Sequence, residues 1–126
     1  MAVMTFTPLV SAPGQTTNLT ISQTGSSYVT VSDTIAGSAT TNIAFTCDVS
    51  AVKMFQVTST VAATLKTNSS GSPVDTITLV ANQPYVWYYG AYDTFKLGTD
   101  VTTLYFTVAG ATAGTVTIDC LTDATP

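Results

Sequence analysis

The chain has 126 residues and a formal net charge of −4, and charged residues make up 8% of it, where about 25% is usual. Three lysines and no arginine cannot form a basic stripe across several phosphates, so neither nucleic-acid binding nor attachment to anionic membrane is expected. There is also no His and no Glu, so the usual bases for a Ser or Cys nucleophile are missing. The expectation is a protein that is not an enzyme and has no catalytic residues.

Polarity must come from uncharged groups, and the chain carries 27 Thr and 11 Ser. Thr is β-branched and suits a half-buried pleated surface better than a helix. No apolar run approaches the roughly 20 residues that span a bilayer. Met1-Ala2-Val3-Met4 shows no basic region leading into an apolar core. The expectation is therefore synthesis and folding in a cytoplasm.

In chain order, residues 1–14 come first. They carry Val3, Met4, Phe6, Leu9 and Val10 and break at Pro13-Gly14. They are too apolar for a solvated tail and too interrupted for a core strand. We expect an N-terminal arm over 1–14 that packs on its own domain or on a neighbour. Residues 15–126 are then expected to form one domain.

Beyond the arm, short segments alternate apolar residues with Thr and Ser, which is the signature of strands with one face on a core. Leu19 and Ile21 alternate with Thr20 and Ser22, and Val29 and Val31 with Thr30 and Ser32. Ile43, Phe45, Cys47 and Val49 form a third series, and Val61, Ala63 and Leu65 a fourth. Ile77 and Leu79, then Leu104, Phe106 and Val108, then Val116, Ile118 and Cys120 complete the set. Residues 52–58 and 84–89 are apolar on both faces. Such strands are central, or touch something beyond their own sheet. Turn-forming residues recur every 8 to 12 positions, as in Asn68–Pro73 and Ala109–Gly114. A turn of 3₁₀ helix is expected within 90–97. The fold class is all-β: an antiparallel β-sandwich or jelly-roll-like barrel of about 8 strands with an N-terminal arm.

Two cysteines and no histidine cannot make the usual zinc set. Oxygen ligands from Asp93 and Asp100 lack an EF-hand spacing and read as solvated loop residues. We expect neither metal nor cofactor. Cys47 and Cys120 fall on apolar strand faces; buried free thiols are the expectation, with an inter-strand disulfide as the alternative. Asn18-Leu19-Thr20 and Asn68-Ser69-Ser70 match the glycosylation pattern but read as turn and strand-edge residues.

The densest local feature is aromatic. Tyr85, Trp87, Tyr88, Tyr89, Tyr92 and Phe95 lie close together in sequence. Such a cluster can be a core strand with a loop over the end of the sandwich, a protein interface, or a sugar-stacking platform. The interface candidates are Phe6, Leu9 and Val10 in the arm, with Tyr85, Trp87, Tyr89, Tyr92 and Phe95.

The second half, residues 50–126, resembles small structural proteins of tailed bacteriophages. The likeness lies in Thr67–Trp87 (TNSSGSPVDTITLVANQPYVW), Asp100–Ala109 (DVTTLYFTVA) and the ending CLTDATP. The resemblance implies a virion protein assembled in a host bacterial cytoplasm, most simply a capsid decoration or cement subunit. It implies the major capsid protein or neighbouring copies of itself as partners, with a trimer as the assembly. A tail, neck or fibre component is the alternative within that class. A carbohydrate-binding module is the alternative from another.

Overall fold

In the computed structural model, residues 2–6, 9–12, 15–18 and 21–123 are described, with side chains for 3–5 and 22–123. Four short strands come first: β1 (Ala2–Phe6), β2 (Leu9–Ala12), β3 (Gln15–Asn18) and β4 (Ile21–Gly25). Eight more follow, in the order β5 (Ser27–Ile35), β6 (Ala39–Ile43), β7 (Val52–Ser59), β8 (Ala63–Thr67), β9 (Thr76–Leu79), β10 (Tyr85–Tyr88), β11 (Leu104–Val108) and β12 (Gly114–Thr122).

These eight make two four-stranded antiparallel sheets. Sheet I has the order β10-β7-β12-β5, and sheet II the order β6-β11-β8-β9. Counted from β5 as the first strand of the sandwich, the sheets read 6-3-8-1 and 2-7-4-5. That is the jelly-roll order, in which two Greek keys interlock so that strands distant in sequence become neighbours.

The alternation explains the layers. In β8 and β11 every second residue is buried, which puts Ala63 and Leu65, and Leu104, Phe106 and Val108, on the inner face. Sheet I answers with Ile35, Phe55, Val57, Val116, Ile118 and Cys120 in the same core. Each fully buried side chain of this size contributes roughly 1.5–3 kcal/mol relative to exposure. The outer faces carry Thr, which bonds across strands; the Thr40 and Thr107 hydroxyls lie 2.9 Å apart. The buried polar residues are satisfied locally: Ser59 Oγ donates to the Val61 carbonyl at 2.6 Å, and Thr67 Oγ1 accepts from the Asp75 amide at 2.9 Å.

The 3₁₀ turn stands at Val49–Ala51, whereas the sequence pointed to 90–97. Asp48 decides its place, because its carboxylate accepts from the Ser50 amide at 3.0 Å and the Ser50 hydroxyl at 2.6 Å. Those bonds hold the Asp48 carboxyl below the usual carboxylate range. Residues 90–97 instead bend without a helical turn.

Within the arm expected over 1–14, the described strands β1 and β2 each pair with a strand that follows them in the chain. β1 pairs antiparallel with β4 from Ala2↔Gly25 to Phe6↔Ile21, and β2 pairs with β3 from Leu9↔Asn18 to Ala12↔Gln15. Partner numbers sum to 27 in both pairs, so the four strands lie in one hairpin register. The sandwich takes over at Ser27, after a close approach at Gly25, where a Cβ would stand 2.5 Å from the Thr122 carbonyl oxygen. At its base Met4 is buried with Met54 and Leu121, and Tyr88 packs against them. Tyr88, Met54 and Leu121 are cross-strand neighbours on sheet I, so the hairpin base covers the outer face of that sheet. This accounts for the two-faced sequence of 52–58: β7 is internal to its sheet, and Met54 is covered from outside. Replacing Met4 with Ala should weaken this seat by about 2 kcal/mol and speed amide exchange in β4 roughly 30-fold, while the melting of the sandwich stays put. Exchange mapped at residues 22–25 checks it; unchanged rates would mean that Met4 does not anchor the hairpin.

Both thiols are free and buried. Cys47 makes an isolated antiparallel bridge with Val101, and Cys120 sits in β12. The interaction between the two thiols lowers the pKa of Cys47 and, together with burial, raises that of Cys120 beyond the ordinary thiol range. The thiolate is the reactive form, so alkylation of the native protein should reach Cys47 before Cys120. Peptide mapping after partial alkylation reads the order, and equal labelling would contradict it.

Among the described residues no helix is long and apolar enough to cross a membrane, and no group of three or more His, Cys, Asp or Glu side chains could hold a metal ion.

Candidate functional site

β10 is one edge of sheet I, paired only with β7. Its side chains are all half-buried, because one face looks into the end of the sandwich and the other toward the hairpin base. Beyond Tyr88 the chain turns at Gly90, with φ +86°, a conformation that suits glycine. It then runs back beside β10 through residues 91–97.

Three contacts fix this returning loop. Trp87 Nε1 donates to the Asp93 carbonyl at 3.0 Å, and the Lys96 amide donates to the Tyr85 hydroxyl at 3.1 Å. The Trp87 and Phe95 rings stack with centroids 4.5 Å apart and planes 14° apart. Phe95 in turn lies 5.4 Å from the ring of Phe55 in the core. Partial burial raises the pKa of the Tyr85 hydroxyl. Further along, the Asp75 carboxylate accepts from the Gly98 and Thr99 amides at 3.0 and 3.2 Å. Asn68 bridges the same end, accepting from the Thr102 amide at 2.8 Å and donating to the Asp100 carbonyl at 2.9 Å. The Asp100 carboxylate accepts from the Val49 amide at 3.0 Å, which commits it to the fold.

The aromatic segment therefore divides. Tyr85, Trp87 and Phe95 are packed against the core and hold the loop in place. Tyr89 is 61% exposed and Tyr92 fully so. Lys53 Nζ lies 3.9 Å from the centroid of the Tyr89 ring, and Lys96 Nζ 5.5 Å from that of Tyr85. Between loop and strand lies an open groove of about 520 Å³, lined in part by Tyr88, Tyr92, Asp93 and Lys96.

The hairpin base meets this corner. Gln23 Nε2 donates to the Tyr89 carbonyl at 3.1 Å, and Tyr88 packs into the Met4 cluster. The two regions expected to make contacts, arm and aromatic segment, are brought side by side at this point. Phe6, Leu9 and Val10 are strand residues of the hairpin, and their side chains lie outside the described ones. Sequence reasoning missed Gln23, Lys53, Asn68 and Asp75, which tie the corner together. Asn68 had the only usable signal, a turn-favouring residue type, which here adopts φ +67°.

What fold and site define is a jelly-roll module with a tyrosine-bearing corner next to a β-hairpin. No protein-family description matches the chain, and no curated protein matches it. A solved structure of Bacillus endospore appendages, described as a novel family of disulfide-linked pili, is similar over 86% of this chain and 100% of its own, with 16% identity and a TM-score of 0.34. At that score the likeness carries neither fold nor function to this chain.

Proposed function

We propose that this chain is a non-enzymatic structural subunit of a virion, a decoration or cement protein seated on the head of a tailed phage and assembled in the bacterial cytoplasm. The observation that carries the reading is the corner itself, where Tyr89 and Tyr92 are exposed and the Tyr89 backbone is bonded to Gln23 of the hairpin base. Tyr is favoured where one side chain must bury a large apolar area and still bond at its tip. Behind these two, Tyr85, Trp87 and Phe95 supply a rigid mount. A surface this poor in charge is poorly protected from association unless a partner covers it. The jelly roll serves many functions, so the fold alone selects none of them.

On this reading the partner is the major capsid protein, gripped by the tyrosines and the hairpin. Sedimentation of the labelled protein with purified heads and, separately, purified tails is the test. Saturable co-sedimentation with heads at a fixed copy number per capsid subunit is expected. Binding to tails alone would move the protein to a neck, tail or fibre, and binding to neither would remove the virion reading.

A second reading rests on the groove, where Tyr88 and Tyr92 stand with Asp93 and Lys96, a mixture of rings and polar groups that suits a sugar. Titration with soluble glycans while following Trp87 fluorescence tests it, since the single Trp borders the groove.

A further inference from the structure

The sandwich has four edge strands, and three are short or covered. β6 has five residues and β9 four. β10 has four and is flanked by the loop that Trp87 and Tyr85 hold. β5 is different. It has nine residues, pairs along its full length with β12, and among the described residues has no strand paired on its other side. It contains neither Lys nor Pro, the residues that usually protect an open edge.

Two observations indicate what the edge takes. The first is backbone direction. In an antiparallel strand, alternate residues turn both N–H and C=O to the same side. The Thr34 amide donates to the Asp33 carboxylate at 2.8 Å, so Thr34 faces the open side, and Tyr28, Thr30 and Ser32 face it too. The Asp33 carboxylate caps one end of this row, leaving an open stretch centred on Thr30. The second is side-chain cover. Val29 stands opposite Cys120, which is buried on the inner face, yet Val29 is 44% exposed. The inner layer is thus short of cover beside β5.

We propose that the β5 edge pairs with the β5 edge of a second copy, antiparallel and symmetric about Thr30. Thr30 then exchanges hydrogen bonds with its counterpart, and Tyr28 with Ser32 of the other copy, in three bonded pairs. Val29 faces Val31 of the other copy on the inner face, so all four valines gather under one continuous sheet. The charges agree. Asp33 is the strand's one charge, and this register places it opposite Ser27, about six residues, or ~20 Å, from its twin. A register slipped by four residues, centred on Ser32, would bring the two carboxylates much closer. The contact is isologous and closes at two copies, where the phage resemblance implied three. It lies on the edge of sheet I opposite the aromatic corner, so its failure would leave the head-binding reading untouched.

Mass measurement in solution is the test. The wild-type chain should have twice the monomer mass. Thr30→Pro removes an amide on the open side only, so the ladder to β12 stays intact and the variant should be a folded monomer. Val29→Lys sets a charge in the pairing and should halve the mass as well, which covers the case that the proline variant fails to fold. For register, Val29→Cys and Val31→Cys chains are mixed with oxidised glutathione as the oxidant. Opposed residues of a non-hydrogen-bonded pair have Cα atoms about 4.5 Å apart, within disulfide reach. A cross-link between the two variants, and none within either alone, is expected. A monomeric or trimeric wild type, or a dimer that survives both edge variants, would overturn the proposal. A cross-link within one variant alone would overturn the register.

Discussion

Replacing Phe55 with Ala should destabilise the protein by about 3–5 kcal/mol, against a total of about 5–15 kcal/mol for a domain of this kind. Phe55 is fully buried in β7. Its ring meets Phe45 edge-on at 6.3 Å, Tyr85 at 6.3 Å and Phe95 at 5.4 Å. Phe55 thus touches the core of the sandwich, the edge strand and the returning loop together. Its removal leaves a cavity where all three meet, and the surrounding rings are tied by backbone bonds that limit collapse. The melting temperature should fall by roughly 10–20 °C. Trp87 fluorescence should shift as well, because Phe95 loses its backing. Phe55→Leu, which fills most of the space, should recover a large part of the loss. A fall of less than about 1 kcal/mol would show that the corner is not tied to the core.

The second large effect separates mounting from contact. The double substitution of Tyr89 and Tyr92 with Ala should leave the melting temperature nearly unchanged, since both rings are exposed. On the proposed function it should weaken head binding about 30-fold or more, as expected when anchors worth about 2 kcal/mol are removed. Trp87→Ala should do the reverse in the isolated protein. Its ring is stacked on Phe95 and its Nε1 is bonded, so about 2–3 kcal/mol of stability should go, less than for a fully buried Trp. Thermal melts and co-sedimentation of the same variants distinguish the cases. Head binding that survives the double Tyr substitution would remove the corner from the interface.

Much of the sandwich was legible because a strand with one buried face writes its orientation into every second residue. Leu104-Tyr105-Phe106-Thr107-Val108 is as alternating in structure as in sequence. The pattern does not record which strand lies beside which, since the jelly-roll order joins β12 to β5 across 79 to 95 positions. Val29 shows a second limit. It occupies an inward position, yet an inward residue on an edge strand has cover on one side only. In the N-terminal region, Val3 and Met4 are adjacent and Phe6 stands apart, which blurred the alternation. Pro13-Gly14 there read as a break, and these two residues lie outside the described ones, while Ala12 and Gln15 on either side of them are paired. At the corner, the richness in Tyr was plain, but nothing in the spacing separated Trp87, a mount, from Tyr92, a free ring. That difference depends on a loop carbonyl at Asp93 and on Asp75, which holds the loop from another strand's end.

The central place of β12 also bears on how the chain reaches this state. Of the described strands β12 is the last to be made, yet it lies between β5 and β7 and bonds to both. Until residues 114–122 have been synthesised, sheet I is two unconnected halves, and the inner faces of Ile35, Phe55 and Val57 lack their partner strand. Folding must therefore wait for nearly the whole domain, and its pace is set by the search for one long-range pairing, in the millisecond-to-second range of such β topologies. During that wait both flanks of the vacant slot are open strands, which makes the half-made chain more prone to aggregation than the finished one.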